Sequence, residues 1–237
     1  MNPTFAYLYD QTASDPRHER DLALMEAELA RRGIDGRLAR EALFRDVQQM
    51  GREFVKMGIK NIVVIGHDAS LLRMIPLLPT SDVTIGFLPL GEAGAIASML
   101  GIPSGISAVD VLAARLVETV DLGCVNGRPF LTEAILPTSR ASMTIEGKYR
   151  LQPQDSGAIG IRNMGSSAAD GSASADPKDG WLELVIQTRP VKGALAKILS
   201  RGRLEETHMP FRNGRLDASQ KVDLFVDGVA LSGDAFE

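Results

Sequence analysis

The sequence has few of the residues that crosslink a chain, cage a metal ion or cross a membrane. Cys124 is the single cysteine among 237 residues, so no internal disulfide and no cage of cysteine ligands can form. The chain lacks the roughly 18 consecutive apolar residues that a membrane-spanning helix needs, and it begins without the basic start and apolar run of a signal peptide. We therefore expect a cytoplasmic protein whose contact with membranes is at most peripheral.

Neither positive nor negative charge is in large excess. The chain has 26 Lys and Arg residues against 30 Asp and Glu residues, which gives a formal net charge of -4. This balance argues against nucleic acid as a partner, because binding to a polyanion requires a strong excess of positive charge. Hydrophobic residues make up 44% of the sequence, which is ordinary for a globular protein, and the length allows two modest domains.

The first half of the sequence alternates strand and helix patterns. Residues 5–9, the mainly apolar run 61–65 and the run 83–88 predict strands, and we expect the last two to be buried. The pair Asp15-Pro16 predicts a helix start, because Asp accepts hydrogen bonds from the first helical amides and Pro is tolerated at the first position. Apolar spacing predicts a second long helix over 43–58, and shorter helical segments are expected over 70–74 and 92–100. This order predicts a parallel sheet.

The second half has the pattern of an antiparallel domain. Asn126-Gly127 is a strong hairpin signal between runs 117–124 and 129–136, because both residues tolerate positive φ. Further strands are expected over 141–145, 158–161, 181–188 and 222–226, with a helix near 191–201 and a mobile loop over 164–180. We predict an α/β plus β protein, with an N-terminal parallel-sheet domain over 1–116 and a C-terminal antiparallel β-sandwich domain over 117–237.

Two glycine-containing turns follow the buried strands, at the carboxyl ends where open parallel sheets bind ligands. The first turn is Gly66-His67-Asp68-Ala69-Ser70, in which we expect Ser70 to cap the next helix. Backbone amides at such a turn favour an anion, so phosphate is the expected ligand, although an ordinary turn would also contain these residue types. The second turn is Pro89-Leu90-Gly91-Glu92, where Gly91 fits either a close ligand contact or a tight turn.

In combination, these segments resemble the catalytic domain of diacylglycerol kinases and related bacterial lipid kinases. That family has a buried strand leading into a Gly-Gly-Asp-Gly-Thr loop, and then a Pro-Leu-Gly-Thr segment that opens a helix ending in Leu-Gly-Ile-Pro. The counterparts here are Gly66 to Ser70, Pro89 to Glu92, and Leu100-Gly101-Ile102-Pro103. The run from Val120 to Leu131, the segment Lys178-Asp179-Gly180-Trp181 and the closing Val226-Asp227-Gly228 also have counterparts.

The resemblance implies a fold of the NAD kinase and diacylglycerol kinase type, with ATP and Mg²⁺ as cofactors. It implies transfer of the γ-phosphate to the hydroxyl of a lipid or another small molecule. In that family the glycine-rich loop lies against the nucleotide phosphates, which assigns nucleotide binding to Gly66, His67, Asp68, Ala69 and Ser70, and to Gly91 and Glu92 of the second turn. It assigns no metal ligands, and it leaves open whether the chain forms a homodimer.

The resemblance further makes Asp179 the general base that takes the proton from the acceptor hydroxyl. An Asp-Gly pair that enters a strand is also an ordinary turn, so this assignment has a purely structural alternative.

Several residues depart from the family pattern. His67 and Ala69 replace glycines, Glu92 replaces a nucleotide-contacting Thr, and Gly94 and Ala95 replace Asn and Asp. The segment 9–12 stands where the family has Asn-Pro followed by glycines. Each polar contact that is lost costs about 1 to 3 kcal/mol of binding free energy.

Three functions therefore remain as hypotheses. The matches at Asp68, Ser70, Gly91 and Asp179 favour an ATP-dependent kinase. The departures favour a catalytically inactive nucleotide- or lipid-binding protein derived from such a kinase. An NAD kinase-like enzyme is the third hypothesis, and it is disfavoured because nothing after the loop resembles that family's acidic-asparagine ribose-binding segment.

Overall fold

The structure is a computed structural model that describes residues 5–34, 36–41, 46–137, 141–153, 157–165, 175–188 and 205–237. The chain divides into two compact units, Met1–Glu118 and Thr119–Glu237. We call them the α/β unit and the β unit.

The α/β unit alternates strands and helices around a four-stranded parallel sheet. Its strands are β1 (Phe5–Tyr9), β2 (Gly36–Arg40), β3 (Asn61–Gly66) and β4 (Thr84–Pro89). Its helices are α1 (Glu19–Arg31), α2 (Val47–Lys56), α3 (Asp68–Leu72), α4 (Ala95–Met99) and α5 (Ile106–Ala114). The strand order is β2-β1-β3-β4, so the chain changes direction across the sheet between β1 and β3.

Both faces of this sheet are covered by helices. Tyr7 and Tyr9 of β1 lie in one apolar cluster with Leu22 and Met25 of α1 and Val109 of α5. The intervening residues of β1 point to the opposite face, where α2 contacts the strand. All five residues of β1 are buried, as a strand between two helical layers requires.

The β unit is built around an eight-stranded antiparallel sheet in the order β12-β11-β10-β7-β13-β8-β9, with β14 paired to β13. Its strands are β7 (Glu133–Leu136), β8 (Ala141–Ile145), β9 (Tyr149–Leu151), β10 (Ala158–Arg162), β11 (Leu182–Thr188), β12 (Glu205–Phe211), β13 (Gly214–Val226) and β14 (Val229–Phe236). A separate two-stranded hairpin joins β5 (Gly123–Val125) to β6 (Arg128–Phe130).

The long strand β13 connects the two halves of this sheet. Its first residues pair with β8, and its last two pair with β7, with an irregularity in its register to β14 between Asp217 and Val222. The alternate residues of both halves enclose one core, which includes Phe130, Leu136, Met143, Leu184, Leu216 and Phe236. The predicted fold class is therefore confirmed.

Most of the predicted elements are present with shifted ends. The hairpin at Asn126-Gly127 is confirmed, with φ of 48° and 78° at the two residues. The expected strand over 117–124 contains only the first two residues of β5, because residues 117–122 lie outside any strand. The expected strand over 129–136 is interrupted at Leu131 and Thr132, whose amides donate to the carboxylate of Asp227.

Other differences concern the helices. The second long helix begins at Val47, after Asp46 accepts a hydrogen bond from the amide of Gln49, and Leu43 lies outside the described residues. The strand β2 and helix α5 were not predicted. The expected helix over 191–201 and most of the expected loop over 164–180 also lie outside the described residues. Among the residues that the structure describes, no helix is both long enough and apolar enough to cross a membrane.

Candidate functional site

The polar corner of the α/β unit lies where β1 and β3 end side by side. The sheet order reverses between these two strands, and such reversal points are where open α/β sheets bind ligands. Asp10 follows β1 directly, and its amide donates to the carbonyl of Ile65 in β3. The first predicted loop, from Gly66 to Ser70, follows β3 at the same corner.

The side chain of Asp10 fills this corner. The residue is only 4% exposed, and its carboxylate accepts hydrogen bonds from four donors. The Oδ2 atom lies 2.9 Å from the amide nitrogen of His67 and 2.6 Å from the hydroxyl oxygen of Ser70. The Oδ1 atom accepts from the amide of Thr12 at 2.8 Å and from the hydroxyl of the same residue. Two donors on each oxygen use the full accepting capacity of a carboxylate.

These hydrogen bonds keep Asp10 ionised. Burial opposes the charged form, but hydrogen bonds from Ser70, Thr12 and the amide of His67 outweigh it and lower the pKa of Asp10 below its ordinary value. A fixed negative charge therefore occupies the position toward which the amide of His67 and the hydroxyl of Ser70 point.

An ion pair extends the network behind Asp10. Arg73 donates to the Ser70 hydroxyl at 3.0 Å, and its guanidinium lies 2.6 Å from Oε1 of Glu41, which follows β2. The second oxygen of Glu41 accepts from the amide of Gln11 at 3.2 Å. The guanidinium of Arg73 thus pairs with Glu41 directly and is linked to Asp10 through the hydroxyl of Ser70.

The carboxylate of Asp68 also binds within the fold. Its Oδ2 atom accepts from the amide of Ile96 at 2.8 Å, and Oδ1 lies 3.4 Å from the amide nitrogen of Ala97. Both amides belong to the first turn of α4, so Asp68 satisfies helical donors that would otherwise have no partner. Gly94 is needed beside it, because a Cβ atom there would lie 2.2 Å from Oδ2 of Asp68.

Ser70 does not cap a helix, so that expectation was wrong. Helix α3 begins at Asp68, which places Ser70 inside it, and the Ser70 hydroxyl is drawn instead to the buried carboxylate of Asp10. The two residues that replace the family's glycines are not strained, because His67 has φ of -102° and Ala69 lies in α3. The His67 side chain is 52% exposed, with Nδ1 at 3.6 Å from Oδ2 of Asp10.

The second predicted turn packs against the ring of His18 at Gly91. Gly91 has φ of 74°, a conformation that favours glycine, and a Cβ atom there would lie 2.9 Å from Cε1 of His18. Glu92 next to it is exposed. These contacts account for Gly91 structurally, and the nucleotide contacts of both residues stay predictions.

The β unit contains a cavity of about 690 Å³. Its apolar lining comes from residues of the core, among them Phe130, Met143, Ile161, Leu216, Leu224 and Phe236. Cys124 and Trp181 also line it, and each is the only residue of its type in the chain. The buried side chain of Asn163 forms part of the lining and donates to the carbonyls of Asp121 and Leu131.

Asp179 lies in a turn next to this cavity. The residue is exposed, and its Oδ1 atom accepts from the amide of Trp181 at 2.8 Å. The amide of Gly180 donates to the carboxylate of Asp121 at 2.8 Å. Asp121 and Asp179 therefore each accept a hydrogen bond from a backbone amide of this turn. Asp179 therefore stabilises the turn into β11, and its role as a base stays a prediction.

The sequence and the fold were compared with known proteins. Residues 4–125 match the model of the diacylglycerol kinase catalytic domain, which covers more than half of the chain. The chain belongs to this family. A solved structure of a diacylglycerol kinase from Bacillus anthracis strain Sterne is 16% identical, with a TM-score of 0.77 over 99% of this chain and 92% of that one. Two further solved structures from the same strain have TM-scores of 0.79 and 0.78 at 15% identity, each over 99% of this chain and 93% of theirs.

Membership of the diacylglycerol kinase family suggests the use of a nucleotide and a metal ion, so we tested whether the corner fits them. The amide of His67 and the hydroxyl of Ser70 would have to release Asp10 before they could bind a phosphate. A polyphosphate at that place would also be repelled by the ionised carboxylate. Asp10 has no free lone pair for Mg²⁺, and Asp68 is engaged with α4. Within the described residues, no three His, Cys, Asp or Glu side chains are placed to hold a metal ion. The corner does not fit Mg²⁺ and ATP.

The sequence interpretation missed three parts of this arrangement. Asp10 was visible as an acid at the end of an apolar strand, but nothing local indicated that it reaches a loop more than fifty residues away. Glu41 was missed because β2 was not predicted. The cavity lining was missed because it combines strands from across the β unit, including the start of β13.

Proposed function

We propose that this chain is a lipid-binding member of the diacylglycerol kinase family that does not transfer phosphate from ATP. Two of the four hydrogen bonds that Asp10 accepts support the loss of phosphate transfer, because they occupy the amide of His67 and the hydroxyl of Ser70, which were expected to hold a polyphosphate. The apolar cavity of the β unit supports the lipid-binding activity. We further propose that the protein works in the cytoplasm.

An alkyl chain that enters the cavity would first contact the exposed lining at Cys124 and Trp181, and it would reach core side chains such as Phe130 only where they move apart, because these are buried. Burial of each methylene group contributes about 0.8 kcal/mol, which corresponds to roughly fourfold in the dissociation constant. We therefore expect affinity to rise steadily with chain length until the cavity is filled.

The nucleotide part of the proposal is tested by isothermal titration calorimetry with ATP and Mg²⁺. We expect no saturable heat with the parent protein. Saturable heat that is lost in an Asp68→Ala variant would contradict the proposal, provided that the circular dichroism spectrum shows the variant to be folded.

The lipid part is tested through Cys124, which lines the cavity and is exposed to solvent. A lipid that enters the cavity should slow the reaction of this thiol with an alkylating reagent. The matched control is free glutathione in the same solution, whose rate must stay unchanged, because lipid that merely sequestered the reagent would slow both thiols. An unchanged rate for Cys124 with every chain length would count against lipid binding at this site.

ATP-dependent transfer of phosphate to a lipid hydroxyl is the second candidate function. It is favoured by the position of Asp179, which is exposed and immediately precedes the cavity-lining residues Gly180 and Trp181. Radiolabelled ATP with diacylglycerol should label the lipid if this candidate is right, and Asp179→Asn should abolish the label. Asp176→Asn is the matched control, because Asp176 is an acid in the same turn that accepts from the amide of Lys178.

A further inference from the structure

The donors around Asp10 form a pocket that is complementary to an oxyanion. The amide and the hydroxyl of Thr12 converge on one carboxylate oxygen, and the amide of His67 and the hydroxyl of Ser70 converge on the other. Amides and hydroxyls of this kind bind the oxygens of carboxylates and phosphates alike. Gly66 completes the pocket, because a side chain there would overlap the carboxylate. The occupant of this pocket is a side chain of the protein itself.

Backbone hydrogen bonds that do not involve the Asp10 side chain hold these donors in place. The carbonyl of His67 accepts from the amide of Ser70 at 2.9 Å. The carbonyl of Thr12 accepts from the amide of Asp15 at 3.0 Å. Removal of the Asp10 side chain therefore leaves the donors in position but without an acceptor, which is unfavourable for buried polar groups.

A positive charge lies behind the pocket. Arg73 donates to the Ser70 hydroxyl at 3.0 Å, so the same hydroxyl is polarised toward the group that occupies the pocket. Arg73 is also paired with Glu41, and without Asp10 these two charges cancel. An anion that takes the place of the Asp10 carboxylate therefore restores the charge that the corner has in the parent protein.

The pocket lies one side chain below the surface. The Asp10 side chain is buried, but the half-exposed ring of His67 lies close to its Oδ2 atom. Replacement of Asp10 by alanine removes one carboxylate group, which has the size of a formate ion. Inorganic phosphate is larger, and it fits only if the exposed His67 ring turns aside.

We propose that this corner is an oxyanion site whose occupant is the chain's own Asp10 carboxylate, an autoinhibitory contact that keeps out a carboxylate or phosphate from solution. This inference rests on the proposed loss of phosphate transfer and specifies the contact that causes it. Once the Asp10 side chain is removed, the donors of Thr12, His67 and Ser70 bind a small oxyanion in its place.

The test follows the thermal unfolding of the full chain by circular dichroism as formate or inorganic phosphate is added, with chloride used to keep the ionic strength constant. Both anions should raise the Tm of Asp10→Ala until the effect saturates, because an anion that binds only the folded state stabilises it by mass action. The parent protein should need at least about tenfold more of either anion for the same rise.

The matched control is Asp10→Asn. This variant loses the same negative charge as Asp10→Ala, but its amide group still fills the pocket, so its Tm should respond as weakly as that of the parent protein. Saturation of Asp10→Ala by formate alone would assign the site to carboxylates, and saturation by both anions would extend it to phosphate.

A second pair of variants tests the donors. Adding Ser70→Ala to Asp10→Ala removes one donor and should raise the half-saturating concentration of formate about tenfold. Adding Ser98→Ala instead should leave it unchanged, because Ser98 is an exposed residue of α4 outside the corner. If Asp10→Ala is unfolded, recovery of its helical signal with formate is the expected result, and Asp10→Ser, which retains a hydroxyl for the donors, repeats the titration.

The outcomes separate this inference from the proposed function. If neither anion raises the Tm of Asp10→Ala or Asp10→Ser, the autoinhibitory contact is refuted, whereas the proposed function stands. Equal responses of Asp10→Ala and Asp10→Asn would also refute the contact, because they would reflect only the lost charge. Saturable binding of ATP by the parent protein would instead contradict the proposed function, and the comparison of Asp10→Ala with the parent would still decide whether Asp10 competes with anions.

Discussion

The Asp10 carboxylate is a charged group held inside the α/β unit by neutral hydrogen-bond donors. Its four donors come from Thr12, which is two residues away, and from His67 and Ser70 after β3. A buried charge is tolerated only when such donors replace the water that it loses. The same residue that binds the amide of His67 and the hydroxyl of Ser70 therefore also ties the end of β1 to the loop after β3.

The variant Asp10→Asn should be less stable than the parent by about 2 kcal/mol, because its amide group directs N–H bonds at donors that then have no acceptor. Urea unfolding followed by circular dichroism measures this difference. The exposed Asp82, paired with Lys60 at 2.6 Å, provides the control variant Asp82→Asn, which should change stability little. Equal losses in the two variants would contradict the role given to Asp10.

The pH dependence of stability should differ between these proteins. The pKa of Asp10 is lowered in the folded state, so its contribution is fully present above the unfolded-state pKa and is lost as pH falls through the folded-state pKa. We expect the stability gap between the parent and Asp10→Asn to shrink as the pH falls below about 4. The other acids titrate in both proteins, so their contributions cancel in the stability gap. The pH dependence of the gap therefore reports on Asp10. A gap that is constant between pH 6 and pH 3, as measured by urea unfolding, would contradict this assignment.

At the scale of elements, the turn from β3 into α3 is shaped by a residue outside it. A Cβ atom on Gly66 would lie 1.9 Å from Oδ2 of Asp10, so the glycine is required by the carboxylate that packs against it. The glycine at the head of the loop thus has a structural explanation independent of any nucleotide.

The variant Gly66→Ala should lose stability by about 2 kcal/mol, because the new methyl group overlaps the Asp10 carboxylate. The loss should be clearly smaller when Gly66→Ala is introduced into an Asp10→Ala background, where the space is free. Urea unfolding of the four proteins in this double-mutant cycle measures the coupling. The same loss in both backgrounds would show that backbone conformation, rather than Asp10, requires the glycine.

Strand β3, which is buried on both faces, could be predicted from the sequence because its apolar residues form a continuous run, whereas β4 is buried only over its second half. The edge strand β2 could not, since it is partly exposed and has the sequence Gly-Arg-Leu-Ala-Arg. The start of β13 was missed because its short alternating segment, residues 215–219, is separated by the polar residues Gln220 and Lys221 from the apolar run at the end of the strand. The loop at Gly66 could be located, but the side chain of Asp10 that packs against it follows the neighbouring strand β1, and only the pairing of β1 with β3 brings the two together.

At the scale of the whole molecule, each unit has its own apolar core. One cluster is formed only by residues of the α/β unit, and another only by residues of the β unit. The helices described all belong to the α/β unit, whereas the single tryptophan belongs to the β unit. Far-ultraviolet circular dichroism and tryptophan fluorescence therefore report mainly on different units.

We expect Asp10→Asn to lower the urea midpoint of the helical signal and to leave the fluorescence midpoint unchanged. Gly127→Ala is the reciprocal variant: Gly127 has φ of 78°, so a side chain there should destabilise the β unit by about 1 kcal/mol and shift the fluorescence midpoint alone. Parallel shifts of both signals in either variant would mean that the two units unfold together.

The central position of β13 has a consequence for how the chain folds during its synthesis. β7 and β8 leave the ribosome well before β13, yet each of them pairs with it. The four parallel strands, by contrast, are complete once β4 has emerged. The edges of β7 and β8 therefore stay unpaired until β13 has been synthesised. At this stage nascent β proteins are most prone to aggregation and most dependent on chaperones.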